Sequence, residues 1–166
     1  MRVLVTAASK HGATAEIADA IGRGLTGNGI TAVVLAPEEV NELEGFDAVV
    51  VGSAVYAGHW LDAAKELVER LGPELRNREV WLFSSGPVGD PLKPEEDPVD
   101  VAAMREATGA VEHRLLAGRL DRSLLGFAEK AIVMALRAPE GDFRDWEEIA
   151  AWSEAIARAL PERTEP

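Results

Sequence analysis

Residues 2–14 read Arg2-Val3-Leu4-Val5-Thr6-Ala7-Ala8-Ser9-Lys10-His11-Gly12-Ala13-Thr14, and this stretch decides the fold. An apolar run over Arg2–Ala7, too short for a helix, reads as a buried strand. It passes through small and hydroxyl residues directly into a helical pattern over Thr14–Asn28, where Ile17, Ala20, Ile21, Gly24 and Leu25 share one face. Gly27-Asn28-Gly29 then breaks the helix. Working outward, the alternation repeats. Thr31–Leu35 reads as a second strand, and Phe46–Gly52, with Ala48-Val49-Val50-Val51, as a central strand covered on both faces. Leu61–Leu71 is an amphipathic helix expected to stop at Gly72-Pro73, followed by a strand over Glu79–Ser84. Ser85–Pro98 is a long Pro/Gly/Asp loop. A short helix over Val99–Thr108 leads to a fifth strand over Arg114–Gly118. Ser123–Arg137 and Trp146–Leu160 close the chain as helices.

Strands alternating with helices imply a parallel sheet with right-handed crossovers. The expectation is one α/β domain over residues 1–166, a doubly wound five-stranded parallel sheet of order 2-1-3-4-5 with helices on both faces. In that order the ligand crevice opens at the carboxyl ends of strands one and three. The loops after Ala7, Gly52 and Ser84 therefore carry the chemistry.

Composition narrows the classes. The chain has no cysteine, which removes disulfides, thiolate metal sites, iron–sulfur ligation and cysteine nucleophiles, so redox work would need a bound cofactor. A formal charge of −12 argues against nucleic-acid binding, which relies on Lys and Arg to neutralise phosphates. There is no apolar run of about 18 residues, and Val3-Leu4-Val5 is too short for a signal-peptide core. A cytoplasmic location follows as the expectation.

In the first loop, Ser9, Lys10, His11, Gly12, Ala13 and Thr14 lead into a helix N-terminus. Hydroxyl donors, free backbone N–H groups and the positive end of the helix dipole suit a phosphate there. Gly12 lets the backbone approach an anion, Lys10 adds charge and His11 a donor. The alternative is that Thr14 merely caps the helix and Gly12 merely turns the chain. There is no G-x-x-x-x-G-K-[ST] and no G-x-G-x-x-G after the first strand. The third strand ends in Gly52-Ser53, without the carboxylate of a phospho-receiver domain.

The second loop, Ser53-Ala54-Val55-Tyr56-Ala57-Gly58-His59-Trp60, sets the only tyrosine among small residues, an arrangement suited to stacking on a planar ring. Trp60 is either a second wall or a packing residue of the next helix. The third loop, Ser84-Ser85-Gly86-Pro87-Val88-Gly89-Asp90-Pro91, offers backbone amides and little bulk.

Together these loops resemble the flavodoxin family, and more narrowly its menaquinone-dependent protoporphyrinogen oxidase branch. The resemblance rests on Ser9–Thr14 followed by Glu16-Ile17-Ala18, and on Val50-Val51-Gly52-Ser53 followed by Tyr56-Ala57-Gly58-His59. Ala117-Gly118-Arg119-Leu120 and Asp145-Trp146-Glu147 complete it. It implies noncovalent FMN. Ser9, Lys10, Gly12, Ala13 and Thr14 would hold the phosphate, with His11 beside them. Ser53, Ala54, Val55, Tyr56, Ala57 and Gly58 would flank the ring on one side, and Ser85, Gly86 and Pro87 on the other. Three features depart from the family pattern: Ala8 replaces a frequent hydroxyl, the third loop has no aromatic, and the stretch before the last helix is less basic than in the membrane-associated oxidases.

Ser123–Arg137 is apolar nearly all round, with Leu124, Leu125, Phe127, Ile132, Val133, Met134 and Leu136. Such a helix packs on the sheet, forms a homodimer contact, rests on a membrane surface, or covers a quinone or porphyrin substrate. His59 is the one histidine placed to move protons near a flavin; the alternative is a helix-start residue bonded to backbone. His113 reads as structural. Asp145 reads as the cap of the last helix, with Trp146, Ile149 and Ile156 as its core face. The functional expectation is an FMN-dependent oxidoreductase, protoporphyrinogen-oxidase-like and passing electrons to a quinone. The alternatives are a small electron carrier docking on redox-partner proteins, or an interaction module without FMN.

Overall fold

The structure is a computed structural model that describes residues 1–89, 94 and 96–161. Asp90 and Pro91 of the third loop, and part of the expected Ser85–Pro98 loop, lie outside these residues.

Five parallel strands form the sheet: β1 (Arg2–Ala8), β2 (Thr31–Leu35), β3 (Ala48–Tyr56), β5 (Glu79–Ser85) and β6 (Glu112–Leu116). Their order is β2-β1-β3-β5-β6, which among the parallel strands is the expected 2-1-3-4-5. Val3, Val5, Val50, Trp81 and Phe83 point to one face. There they meet Ile17, Ile21 and Leu25 of α1 (Ala13–Gly27) and Ile149, Trp152 and Ile156 of α5 (Trp146–Ala159). Leu4, Val49, Val51 and Leu82 point to the other, against Leu67, Leu71 and Leu75 of α2 (Asp62–Arg76), with Met104 of α3 (Val101–Thr108) at the margin. This is the alternation a strand buried on both sides requires. Close approach depends on small residues. A Cβ on Gly24 would lie 2.6 Å from Ser153 of α5, and one on Gly52 only 2.2 Å from the Phe83 ring.

Four expectations are corrected. First, β3 does not stop at Gly52 but runs to Tyr56, turns at Ala57-Gly58 and returns as β4 (His59–Trp60), antiparallel to β3. Both turn residues have positive φ (51° and 79°), the pattern of a two-residue type I′ hairpin. Second, α2 continues through Gly72-Pro73 to Arg76, because Leu71 and Leu75 lie one turn apart on the buried face and their burial offsets the bond lost at Pro73. Third, the expected helix Ser123–Arg137 is broken at Leu125-Gly126. A single 3-10 turn (Arg122–Leu124) precedes α4 (Phe127–Leu136), and Asp121 caps that turn by accepting the Ser123 N–H at 3.0 Å. Fourth, Trp146 is not a core residue. It is 43% exposed, with the Arg144 guanidinium 4.6 Å from its ring centroid.

The segment holding α4 leaves the sheet after β6 and returns at α5. A ribbon of β7 (Arg119–Leu120) and β8 (Gly141–Asp142) closes its base. No residue of α4 is buried, so the packing-on-the-sheet reading does not hold.

Candidate functional site

Sheet register gathers the three loops at one edge. Ala8 pairs with Ser53, Ser53 with Ser84, and Ser84 with Leu115. Strands β1, β5 and β6 thus end close to one level, and β3 runs three residues past Ser53 to form a wall.

Residues 9–14 turn the chain from β1 into α1. Gly12 stands at the helix N-cap with φ +89°, and a Cβ there would meet open space. Ser9 Oγ accepts the Gly12 N–H at 3.1 Å. The first intrahelical bond runs from the Glu16 N–H to the Gly12 carbonyl. The N–H groups of Ala13, Thr14 and Ala15 precede that bond, and among the described residues no side chain caps the helix. Thr14 is therefore not the cap; it is buried at the second position of the helix. Two guanidiniums engage the loop's carbonyls: Arg119 donates to His11 O at 3.4 Å and Arg144 to Ala13 O at 3.3 Å. With those acceptors occupied, the N–H groups, unpaired among the described residues, and the positive end of the helix dipole face the loop. Ala8, where a hydroxyl was missed, is a buried core residue at the end of β1.

Tyr56, at the end of β3, faces this lip. Lys10 Nζ lies 5.4 Å from its ring centroid, and the His11 ring meets it edge-on at 6.2 Å. Burial pushes the Tyr56 hydroxyl up to about 12, and the Glu129 charge adds to the shift. Glu129 itself comes from α4. Its Oε1 lies 2.6 Å from Lys10 Nζ and its Oε2 2.9 Å from His11 Nε2. Lys10 and then His11 pull its carboxyl down to about 2.

A family model described as a flavodoxin domain matches residues 4–146. The chain belongs to the flavodoxin-domain family. No curated protein matches it by sequence. Among solved structures, a flavodoxin from the domain Archaea is 20% identical, with 95% of this chain and 97% of that one covered and a TM-score of 0.65. Flavodoxin 1 from Bacillus cereus is 15% identical (97% and 100% covered, TM-score 0.65), and the Streptococcus pneumoniae TIGR4 flavodoxin 18% (96% and 100%, TM-score 0.67). At these identities the neighbours establish the fold. The narrower oxidase likeness draws no support from them.

Within the flavodoxin fold the remaining expected residues fall out as follows. Ser53 is fully buried; its hydroxyl donates to Ala54 O and accepts the Leu61 N–H, so it braces the hairpin. Ala54, Val55, Ala57 and Gly58 form the wall around Tyr56. Ser85 is buried at the end of β5. Gly86 and Pro87 run against the chain after β6, where Gly118 N–H donates to Pro87 O at 2.8 Å. His59 is not a helix-start residue. It lies in β4 opposite Tyr56, exposed, with Nδ1 3.2 Å from Asp100 Oδ2, which also accepts the Trp60 N–H. Trp60 is 2% exposed and is a packing residue rather than a second wall.

Behind the wall, Trp60 Nε1 donates to Ser84 Oγ at 2.7 Å, and Ser84 Oγ lies 2.7 Å from His113 Nε2, with Asp97 3.6 Å from His113 Nδ1. Ser, His and Asp fall in the order of a nucleophilic triad. Ser84 is wholly buried and its oxygen already accepts from the indole, so the chain of bonds is a brace and not a nucleophile. Burial pushes the His113 pKa down, favouring the neutral ring that accepts from Ser84.

Sequence reading missed Arg119, Arg144 and Glu129. The Arg144 side chain is nearly buried; it pairs with Glu16 and Asp142 and holds both carboxyls below the usual range. A basic residue directly beside each of the Ala117-Gly118 and Asp145-Trp146 elements was the available signal. Glu129 had one too, as an acid on an otherwise apolar and basic segment.

Proposed function

We propose that the chain binds FMN noncovalently and serves in electron transfer through it. The observation that supports this most is the run of N–H groups at Ala13, Thr14 and Ala15, unpaired among the described residues, at the switch-point crevice in a loop whose Lys10 and His11 side chains lie against Tyr56. The donor set suits a phosphate ester: backbone amides, a helix dipole, the Lys10 ammonium and the Ser9 hydroxyl. In this reading Ser9, Lys10, His11, Gly12, Ala13 and Thr14 hold the phosphate. Ala54, Val55, Tyr56, Ala57 and Gly58 flank the ring from one side, and Ser85, Gly86 and Pro87 from the other. FMN supplies the electron storage, and the chain's residues bind it, orient it and limit water at the ring. The charge of −12 steers encounters toward partners with basic faces.

Titrating flavin-free protein with FMN, followed by flavin fluorescence, tests the reading. Saturable one-to-one binding is expected, and Thr14→Glu should weaken it roughly tenfold or more, because a carboxylate would compete for the same N–H groups. A protein that takes up no flavin refutes it.

A second reading has one observation in its favour. Phe127, Met134 and Leu136 of α4 are 94%, 71% and 73% exposed on an element that Glu129 ties to the crevice. An apolar donor such as protoporphyrinogen, with a quinone as acceptor, would find a surface there, and so would a second copy of the chain or a membrane. Turnover of protoporphyrinogen with a menaquinone analogue supports this role; no turnover beside rapid exchange with a flavodoxin reductase leaves the carrier.

A further inference from the structure

We infer that Glu129 is an internal stand-in for the ligand anion, and that α4 is a strap held over the flavin crevice by Glu129 until a phosphate takes its place. The inference rests on reading residues 9–14 as the phosphate loop.

The carboxylate sits on the Lys10 ammonium and the His11 ring of that loop, at 2.6 Å from Lys10 Nζ and 2.9 Å from His11 Nε2. It also draws Lys10 across the face of Tyr56, the surface a flavin ring would stack on. A phosphate ester bound to the same Lys10 and His11 would carry its charge into direct contact with Glu129. Two like charges at that separation repel, and the carboxylate must leave. One residue thereby engages both Lys10 and His11 of the anion loop and, through Lys10, covers the ring face.

Among the described residues, little else holds α4 in place. No residue of the helix is buried, and it is ten residues long, below the length at which an isolated helix persists in water. The base of the segment is fixed separately, by the β7–β8 pairing and by Arg119 on the His11 carbonyl. Losing the Glu129 contact would therefore loosen the strap and leave the loop beneath it intact. Glu129 Oε1 is also 3.4 Å from the Gly126 N–H, so the residue that reaches the loop also closes the helix start.

The test uses full-length wild type, Glu129→Gln, and Lys130→Gln as a control on the same helix. Hydrogen exchange of residues 126–137 is first followed without flavin. Exchange in Glu129→Gln is expected to be roughly three to ten times faster than in wild type and Lys130→Gln. Equal protection overturns the strap. FMN is then titrated by fluorescence quenching: Glu129→Gln should bind roughly three- to tenfold tighter, since the competing contact is gone. Equal or weaker binding overturns the competition. Adding FMN to wild type should bring α4 exchange to the rate of the variant, and an unchanged rate refutes displacement. If neither protein binds FMN, the cofactor reading fails while the flavin-free comparison still decides the strap. Inorganic phosphate then decides displacement, accelerating α4 exchange in wild type only or refuting it.

Discussion

Gly52→Ala is the sharpest perturbation of the architecture that carries the crevice. Gly52 pairs with Ala7 on one side and Phe83 on the other, in the middle of the sheet. A Cβ added there would lie 2.2 Å from two atoms of the Phe83 ring, and ordinary contact begins at 3.4 Å, so the ring must retreat by about 1.2 Å, the difference. It has nowhere to go: Phe83 is fully buried and meets Trp152 edge-on at 6.0 Å. Overpacking of this kind costs about 1–3 kcal/mol, and the relief of glycine's chain entropy returns only ~0.5–1 kcal/mol. A net loss of about 1 kcal/mol, and at most about 2.5 kcal/mol, is expected. Urea unfolding followed by tryptophan fluorescence reads it as a lower midpoint with an unchanged slope. The pair Gly52→Ala with Phe83→Leu should be less destabilised than the two single changes summed, because the smaller side chain vacates the space the new methyl needs. A Gly52→Ala protein as stable as wild type, or strict additivity in the pair, would refute the steric account.

Ser84→Ala should cost about 2–4 kcal/mol, since Trp60 Nε1 and His113 Nε2 lose their common partner inside the core; a loss below about 1 kcal/mol in urea would show that water replaces the hydroxyl. Tyr56, as the only tyrosine, can be titrated by ultraviolet difference absorbance, with a midpoint near 12 in the folded protein, and Glu129→Gln should lower it. The sign follows from the raised pKa: the contribution to stability is complete below about pH 10 and is lost as pH rises through about 12. A midpoint at 10 would mean that the ring is not held as described. Asp145→Ala should cost ~1 kcal/mol by removing the acceptor of the Glu148 N–H at the start of α5, and no measurable change in thermal unfolding would count against that cap.

The sheet was legible because its strands are β-branched runs bounded by Gly, Pro and Asn, and because both faces are covered, which suppresses polar alternation. The order followed from topology rules rather than from any one residue. Illegible were the features set by contacts between distant parts of the chain. Ala54-Val55-Tyr56 reads equally as loop or strand, and only the return of His59-Trp60 makes it a hairpin. Leu71 and Leu75 override a local stop signal that is sound on its own terms. The candidate site divides the same way. Ser9–Thr14 announces itself by type and spacing, whereas Arg119, Arg144 and Glu129 reach it from more than 100 residues away, where periodicity carries no information. Trp146 was misplaced for a related reason: helical spacing put it on the core face, but the Arg144 guanidinium holds its ring at the surface.

The hydrogen bond from Phe143 N–H to Gly118 O, 3.0 Å long, brings the two feet of the α4 segment together. The segment is thus a side branch of the fold, closed at its root before it extends. Its length enters stability only through loop-closure entropy, which grows slowly: doubling it costs only about 0.6 kcal/mol. Insertions, deletions or wholesale exchange between Asp121 and Glu140 should leave the sheet and its register untouched. The branch can therefore diversify in sequence and size at a pace the five strands cannot follow, which makes it the natural graft point for giving this scaffold a new surface.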